Sequence, residues 1–321
     1  MKALPLIVFV VPPHVHLLDL TGPVQVFYEA ATYGKPYQLT YCSFQSVVSS
    51  SAGLGLGPLL PFAEVQPEPG DFLFVPGLEM EYLRSPAFRQ EGASFFAWLR
   101  EQQARGVRIC SICTGAFVLA EAGLLDGRKC TTHWRRLAEL QARYPRVLAQ
   151  PDTLFVQDGG LCTSAGVTSG IDLALYLLEE QHGPLFATKV ARELVVYTRR
   201  GAEHSQQSIY LDYRNHLNSA VHEVQDWLAE NLAAGATLDT LAELVHMSPR
   251  TLTRTFRKAT GISINEYTTA LRRERAQTLH CNPALTLEAI AAQCGFRSVR
   301  QLRRIWPTLA SKTSSPNTSS L

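Results

Sequence analysis

The chain has 321 residues, enough for two domains that each bury a core. Its net charge of +2 hides an uneven split: from Ser248 onward twelve Lys/Arg face three Asp/Glu, a balance of +9, and the remainder carries eighteen against twenty-five, a balance of −7. Seven scattered cysteines, an odd number, exclude a disulfide framework, and no apolar run approaches the roughly 20 residues that span a bilayer. The apolar opening is interrupted by Pro12, Pro13 and Asp19, and no small-residue cleavage site follows. A cytoplasmic protein of a reducing compartment is expected.

From Leu4 to about Val196 short apolar runs alternate with amphipathic stretches. Leu6–Val11, Gln38–Cys42, Asp71–Val75, Val107–Ile112 and Leu154–Gln157 are predicted strands. Val24–Thr32, Ala93–Gln103, Ala116–Ala122, Trp134–Tyr144, Gly170–His182 and Pro184–Arg200 are predicted helices. This order predicts an α/β domain over residues 1–200, with a mostly parallel sheet sandwiched by helices. Small polar residues open a linker over 201–218, an all-α domain follows over 219–310, and 311–321 is predicted to be a disordered tail.

Within the first domain, Gly106-Val-Arg-Ile-Cys110-Ser-Ile-Cys113-Thr114-Gly115 spells a strand, a sharp turn and a helix start. A cysteine at the positive end of a helix is expected to have a lowered pKa and an exposed sulfur. The strand ending at Pro76-Gly77 is expected to turn its amides toward the same crevice, at the topological switch point of the sheet. Cys110 is assigned to core packing, because no second Cys/His pair stands at zinc spacing. His14 and His16 flank the first strand end, where either a pocket lining or simple exposure is open to them.

The last third contains one pattern twice. Leu238, Leu241, Ala242 and Val245 precede a short turn and the helix predicted from Pro249, after the cap Ser248; Leu287, Ile290, Ala291 and Cys294 precede a turn and a second helix after Ser298. Each second helix buries one face, Leu252 and Phe256 or Leu302 and Trp306, and turns a basic face outward. Arg250, Thr253, Arg254 and Arg257 form the first such face; Arg300, Arg303 and Arg304 form the second. Duplicate helix-turn-helix units with basic outer faces predict DNA binding in the major groove, with Arg257 mainly at phosphate. Pro307 is expected to end the second recognition helix early, because it lacks an N–H and disfavours helix at Trp306.

Leu241-Ala242, Met247-Ser248-Pro249-Arg250, Phe256, Thr260-Gly261, Leu271-Arg272, Ile290-Ala291 and Gly295-Phe296 resemble the AraC/XylS family of transcriptional regulators. That resemblance implies Arg250, Thr253, Arg254, Arg300, Arg303 and Arg304 as groove-facing positions. It also implies an operator in double-stranded DNA and RNA polymerase as a further partner. The closing Gly-x-Ser-Pro-x-x-Tyr-Arg stretch of that family is replaced here by Trp306-Pro307 and a Ser/Thr-rich tail. Asp19-Leu-Thr-Gly22-Pro23, Asp71 to Gly77, Cys110 to Gly115, Thr131-Thr-His133-Trp134 and Ala165-Gly166 to Asp172 resemble the class I glutamine-amidotransferase-like superfamily on its PfpI-type branch. The combination is similar to the GlxA-like regulators, which implies a small, nitrogenous effector and a homodimer formed through the first domain. The implied effector pocket comprises Asp19, Gly77, Cys113, Thr114 and His133. No catalytic residue, metal or cofactor is expected: His133 is followed by Trp134-Arg135 where the amidotransferases carry His-x-Glu, and Thr114 stands where PfpI-type proteases carry histidine. The rival expectation is a cysteine-dependent hydrolase or hydratase with Asp19 as partner of Cys113.

Overall fold

Successive residues of a strand point to opposite faces of its sheet, and here both faces are apolar. Ile7, Phe9, Phe72, Phe74, Cys110 and Ile112 join one hydrophobic cluster; Val8, Val10, Leu73, Val75 and Ile109 join another. A sheet buried on both sides must be covered by two helical layers, so the sequence of these strands already dictates a three-layer sandwich. The computed structural model describes residues 4–196, 199–282 and 284–306, without the side chain of Leu211. The chain divides into two units, Met1–Gln206 and Gln207–Leu321.

The seven-stranded sheet of the first unit runs in the order Phe155–Asp158, Leu161–Ser164, Arg108–Ile112, Phe72–Val75, Leu6–Val10, Gln38–Ser43 and Leu60–Pro61. All neighbours are parallel except the first pair. Helices Pro86–Ala104, Gly115–Glu121 and Leu137–Arg143 cover one face. Helices Leu17–Thr32, Ser169–His182 and Pro184–Glu193 cover the other.

Several expected boundaries move. The first helix starts at Leu17, not Val24, and runs through Pro23, which it buries together with Leu20 and Gly22. Burial of that face offsets the roughly 3 kcal/mol that an interior proline costs. The helix expected from Ala93 starts at Pro86, where Ser85 caps it by accepting from Phe88 N at 3.2 Å. The helix expected to reach Arg200 stops at Glu193, because Val195 takes a left-handed φ of 53°. The strand Leu161–Ser164 was not foreseen; all four residues are buried, so no alternation announces it.

The second unit is helical. Ser219–Glu230, Leu238–Leu244 and Pro249–Thr260 pack with the start of the long helix Ile264–His280 through Val221, Val224, Leu241, Leu252, Phe256 and Tyr267. Leu287–Gln293 and Val299–Ile305 pack on the other half of that helix through Ala276, Ile290, Cys294, Leu302 and Trp306. Each start is capped by the side chain before it: Asn218, Thr237, Ser248, Ser263, Thr286 and Ser298. The second recognition helix ends at Ile305, and Trp306 leaves it at φ −133°, ψ 76°, outside the helical region that a following proline disfavours. Pro307 itself and the tail 311–321 lie outside the described residues. Among the described residues no helix is long and apolar enough to cross a membrane.

Candidate functional site

The strand Arg108–Ile112 runs into a turn where Cys113 adopts φ 54°. Such a conformation costs a non-glycine residue of order 1–3 kcal/mol and survives only where its surroundings over-determine it. Cys113 N donates to Ser164 O at 3.0 Å, and Thr132 Oγ1 donates to Cys113 O at 2.7 Å. Gly77 and Gly166 close on either side. A Cβ on Gly77 would overlap Asp19 Oδ2, and one on Gly166, whose φ is +100°, would overlap Cys113 Cβ. Only glycine fits either place.

Beneath the cysteine lies Asp19, 1% exposed, on the first helix. Val167 N donates to its Oδ1 at 2.6 Å. Its Oδ2 makes no hydrogen bond of ordinary geometry and lies 3.4 Å from His16 Nδ1. Thr114 Oγ1 donates to Leu78 O at 2.6 Å and accepts from Leu78 N at 2.8 Å. Its hydroxyl is thereby committed to the scaffold, and so is one of the turn amides expected to face the crevice.

The sequence expectation of an exposed sulfur with a lowered pKa is overturned. Cys113 is 4% exposed, and burial, followed by the charge of Asp19, holds its thiol far above the ordinary range. The Thr114 amide and hydroxyl pull the other way and lose. The helix that starts at Gly115 has only seven residues, too short for its terminus to prevail over desolvation and a neighbouring carboxylate.

Cys113, Thr114 and His133 do meet, at a cleft of about 440 Å³. Asp19 and Gly77 lie against Cys113 without lining it. His16 lines the cleft and His14 is exposed, so the open alternative for these two residues resolves differently for each. Sequence reasoning missed Glu79, Glu81, Arg135 and Arg136, which give the mouth both signs of charge. Their signal was adjacency: two follow Gly77 closely and two follow His133. His133 Nδ1 accepts from Arg135 N at 3.4 Å, and burial, then Arg135, lowers its pKa. The Arg135 guanidinium sits 4.8 Å from the Trp134 ring centroid. Cys110, fully buried, pairs in register with Cys162 in the sheet, in keeping with core packing.

In the second unit the two turns correspond: His246 and Gly295 take left-handed φ of 53° and 73° at matching places. Each recognition helix turns its basic side out. Arg250, Thr253, Arg254 and Arg257 are exposed on the first, and Arg300, Arg303 and Arg304 on the second. Among the described residues of this unit, the ion pair of Arg214 with Asp226 involves none of them. Exposed guanidinium groups of this kind can contact an anion or a base edge.

A doubly covered parallel sheet with a cysteine at a strand-to-helix elbow, followed by paired helix-turn-helix units, defines the class: a DJ-1/PfpI-like domain joined to a helix-turn-helix domain. A DJ-1/PfpI family model matches residues 6–180 and a helix-turn-helix domain model matches 241–312. The chain belongs to the DJ-1/PfpI family. It is 35% identical over 202 residues to the HTH-type transcriptional regulator GbdR of Pseudomonas aeruginosa, a match covering 63% of this chain and 54% of that one. The match thus spans about half the length of this curated relative. It is 36% identical over 176 residues to isonitrile hydratase of Pseudomonas putida, covering 54% and 71% of the two chains. A solved structure of a THiJ/PfpI family protein from Pseudomonas syringae aligns with a TM-score of 0.52 at 26% identity, covering 64% of this chain and 80% of that one.

Proposed function

We propose that this chain is a sequence-specific DNA-binding transcriptional regulator whose first unit senses a small nitrogenous metabolite at the Cys113 cleft. The observation that carries the reading is the duplicated arginine face, exposed on two recognition helices with matched cores. Arginine at a helix face pairs bidentately with guanine in the major groove, and two such helices in one chain read successive groove segments about 10 bp apart. Selecting bound duplexes from a random library with the full chain tests it. Enrichment of a motif with two blocks about one helical turn apart is expected; recovery of unselected DNA overturns the reading.

The cleft supports the sensing half. Glu79 and Glu81 would favour cationic nitrogen, and Arg135 with Arg136, the latter also paired with Glu139, would favour carboxylate, a lining that suits a small zwitterion such as an amino acid or a betaine. A ligand bound only by the native state raises the melting temperature, by about 2.7 kcal/mol of stabilisation at a hundredfold excess over Kd. Homodimerisation through the first unit belongs to the same reading and is checked by sedimentation of the full chain.

A second reading, a cysteine-dependent hydratase or hydrolase, is favoured by one observation: the buried Asp19 carboxylate lies directly beside the Cys113 thiol. Against it stand a thiol held protonated by burial and a His133 Nδ1 engaged with the Arg135 amide. Steady turnover of an isonitrile or amide by the full chain, abolished in Cys113→Ser, would establish this second reading.

A further inference from the structure

Three side chains at the base of the cleft form a ligand set that sequence spacing conceals. His16 Nδ1, Asp19 Oδ2 and Cys113 Sγ all lie within 4.8 Å of one another. We propose that they bind one divalent ion of borderline softness, zinc, with a fourth coordination position open to the cleft.

The distances suit such an ion. Tetrahedral zinc with bonds of about 2.0–2.3 Å places its ligand atoms about 3.3–3.8 Å apart. The His16–Asp19 pair already stands at 3.4 Å, and the sulfur lies within 4.8 Å of both ligand atoms. The donor types choose among metals: thiolate with imidazole disfavours calcium and magnesium, which take oxygen, whereas a mixed N, O, S set suits zinc.

The electrostatics argue the same way. The buried Asp19 carboxylate lies between the His16 ring and the Cys113 thiol. On binding, the sulfur–metal bond forms as the thiol proton leaves to water, and a dication balances the carboxylate and the thiolate.

All three ligands are also held in place beforehand. Val167 N fixes the other carboxylate oxygen at 2.6 Å, and Ser164 and Thr132 fix the backbone of Cys113. His16 N donates to Gly77 O at 2.8 Å. Hydrogen bonds that orient ligands in this way are a regular part of built metal sites. Three protein ligands with one open position is the arrangement that leaves a zinc ion able to take a water or a small molecule from the cleft.

The test uses the full chain, stripped with a chelator and titrated with Co2+ as a spectroscopic substitute, then with Zn2+ against a chromophoric competitor. One Co2+ per chain is expected, with sulfur-to-cobalt charge-transfer absorption in the near ultraviolet and tetrahedral bands in the visible. Cys113→Ser should abolish the charge-transfer band. His16→Ala and the isosteric Asp19→Asn should each weaken Zn2+ by more than the roughly 10–100-fold that loss of a supporting hydrogen-bond partner costs. Circular dichroism of each variant establishes that it is folded. Absence of the band at stoichiometric Co2+, its survival in Cys113→Ser, or unchanged affinity in folded Asp19→Asn overturns the proposal. Neither DNA nor effector enters the measurement, so its failure leaves the regulatory reading intact.

Discussion

The two units place their functional side chains by opposite routes. In the helical unit Arg250, Thr253, Arg254 and Arg257 belong to one helix, and the 3.6-residue pitch alone sets them on one side. In the sheet unit His16 and Asp19 begin the first helix, Cys113 and His133 come from two other segments, and these three places meet only because parallel strands deliver their carboxyl ends to one edge. Helical placement is redundant: a displaced arginine leaves its neighbours where they were. The cysteine elbow is over-determined, with a left-handed Cys113 wedged between two glycines and tied to Ser164 and Thr132. It should fail as a whole.

The largest expected effect follows from that. Gly166→Ala adds a methyl where Cys113 Cβ already stands and forces a side chain into φ +100°. Backbone strain and overpacking of about 1–3 kcal/mol each act together, so the sheet unit should lose about 2–6 kcal/mol in urea unfolding. The helical unit's transition should be unmoved. A Gly166→Ala variant of unchanged stability would remove the basis of the contrast.

Acid should separate the two regions next. His204, in the first unit, is buried; burial first, with Arg200 adding to it, lowers its pKa to about 4, against a supporting bond to Gly201. Its folded pKa lies below the ordinary 6.5, so the folded state resists a proton that the unfolded state accepts. The stability is complete above about pH 6.5 and declines as pH falls toward 4, by at most about 1.4 kcal/mol per pH unit for one proton. In His204→Asn that slope should flatten between pH 6.5 and 4. An unchanged slope would assign the acid sensitivity to other groups.

The same contrast explains what was legible in the sequence. The helix-turn-helix pair could be seen because caps, apolar spacing and basic faces are all written within a few turns of chain, and the structure keeps each of them. Cys113 could be placed at its turn, because a strand followed by a small-residue helix start is also local. Its protonation could not be foreseen. That depends first on burial and then on Asp19, both set by the fold, and the local signal of a helix terminus pointed the wrong way. The strand Leu161–Ser164 was hidden for a related reason: burial on both faces erases the alternation that marks a strand. Likewise His16 became a cleft residue only once Gly77 O accepted its amide and Asp19 stood beside it.

Within the helical unit, the arginines themselves should divide. Arg250→Ala and Arg254→Ala should each cost about 1–3 kcal/mol of operator affinity and relax the preference at particular base pairs. Arg257→Ala should weaken all sequences alike and reduce the salt slope of log K by about 1. Fluorescence anisotropy on selected and scrambled duplexes at several salt concentrations reads both. Equal losses on the two duplexes for Arg250→Ala would mean that its face touches only phosphate.

The smallest effect compares the two recognition helices with each other. Pro249–Thr260 has twelve residues and Val299–Ile305 has seven, and each begins on a serine whose hydroxyl accepts from an amide, at 3.2 Å in Ser248 and 3.4 Å in Ser298. Replacing such a cap by alanine costs typically about 1 kcal/mol. The first helix buries both Leu252 and Phe256, enough to keep its position when the cap is lost; the second buries Leu302 alone within its span. Ser248→Ala and Ser298→Ala should therefore lower stability by similar small amounts and yet differ on DNA. The first should leave both groove patches protected in a footprint, whereas the second should thin the patch contacted by Arg300, Arg303 and Arg304. Equal footprints from the two variants would show that the short helix is held by its packing on Ile264–His280 and needs no cap.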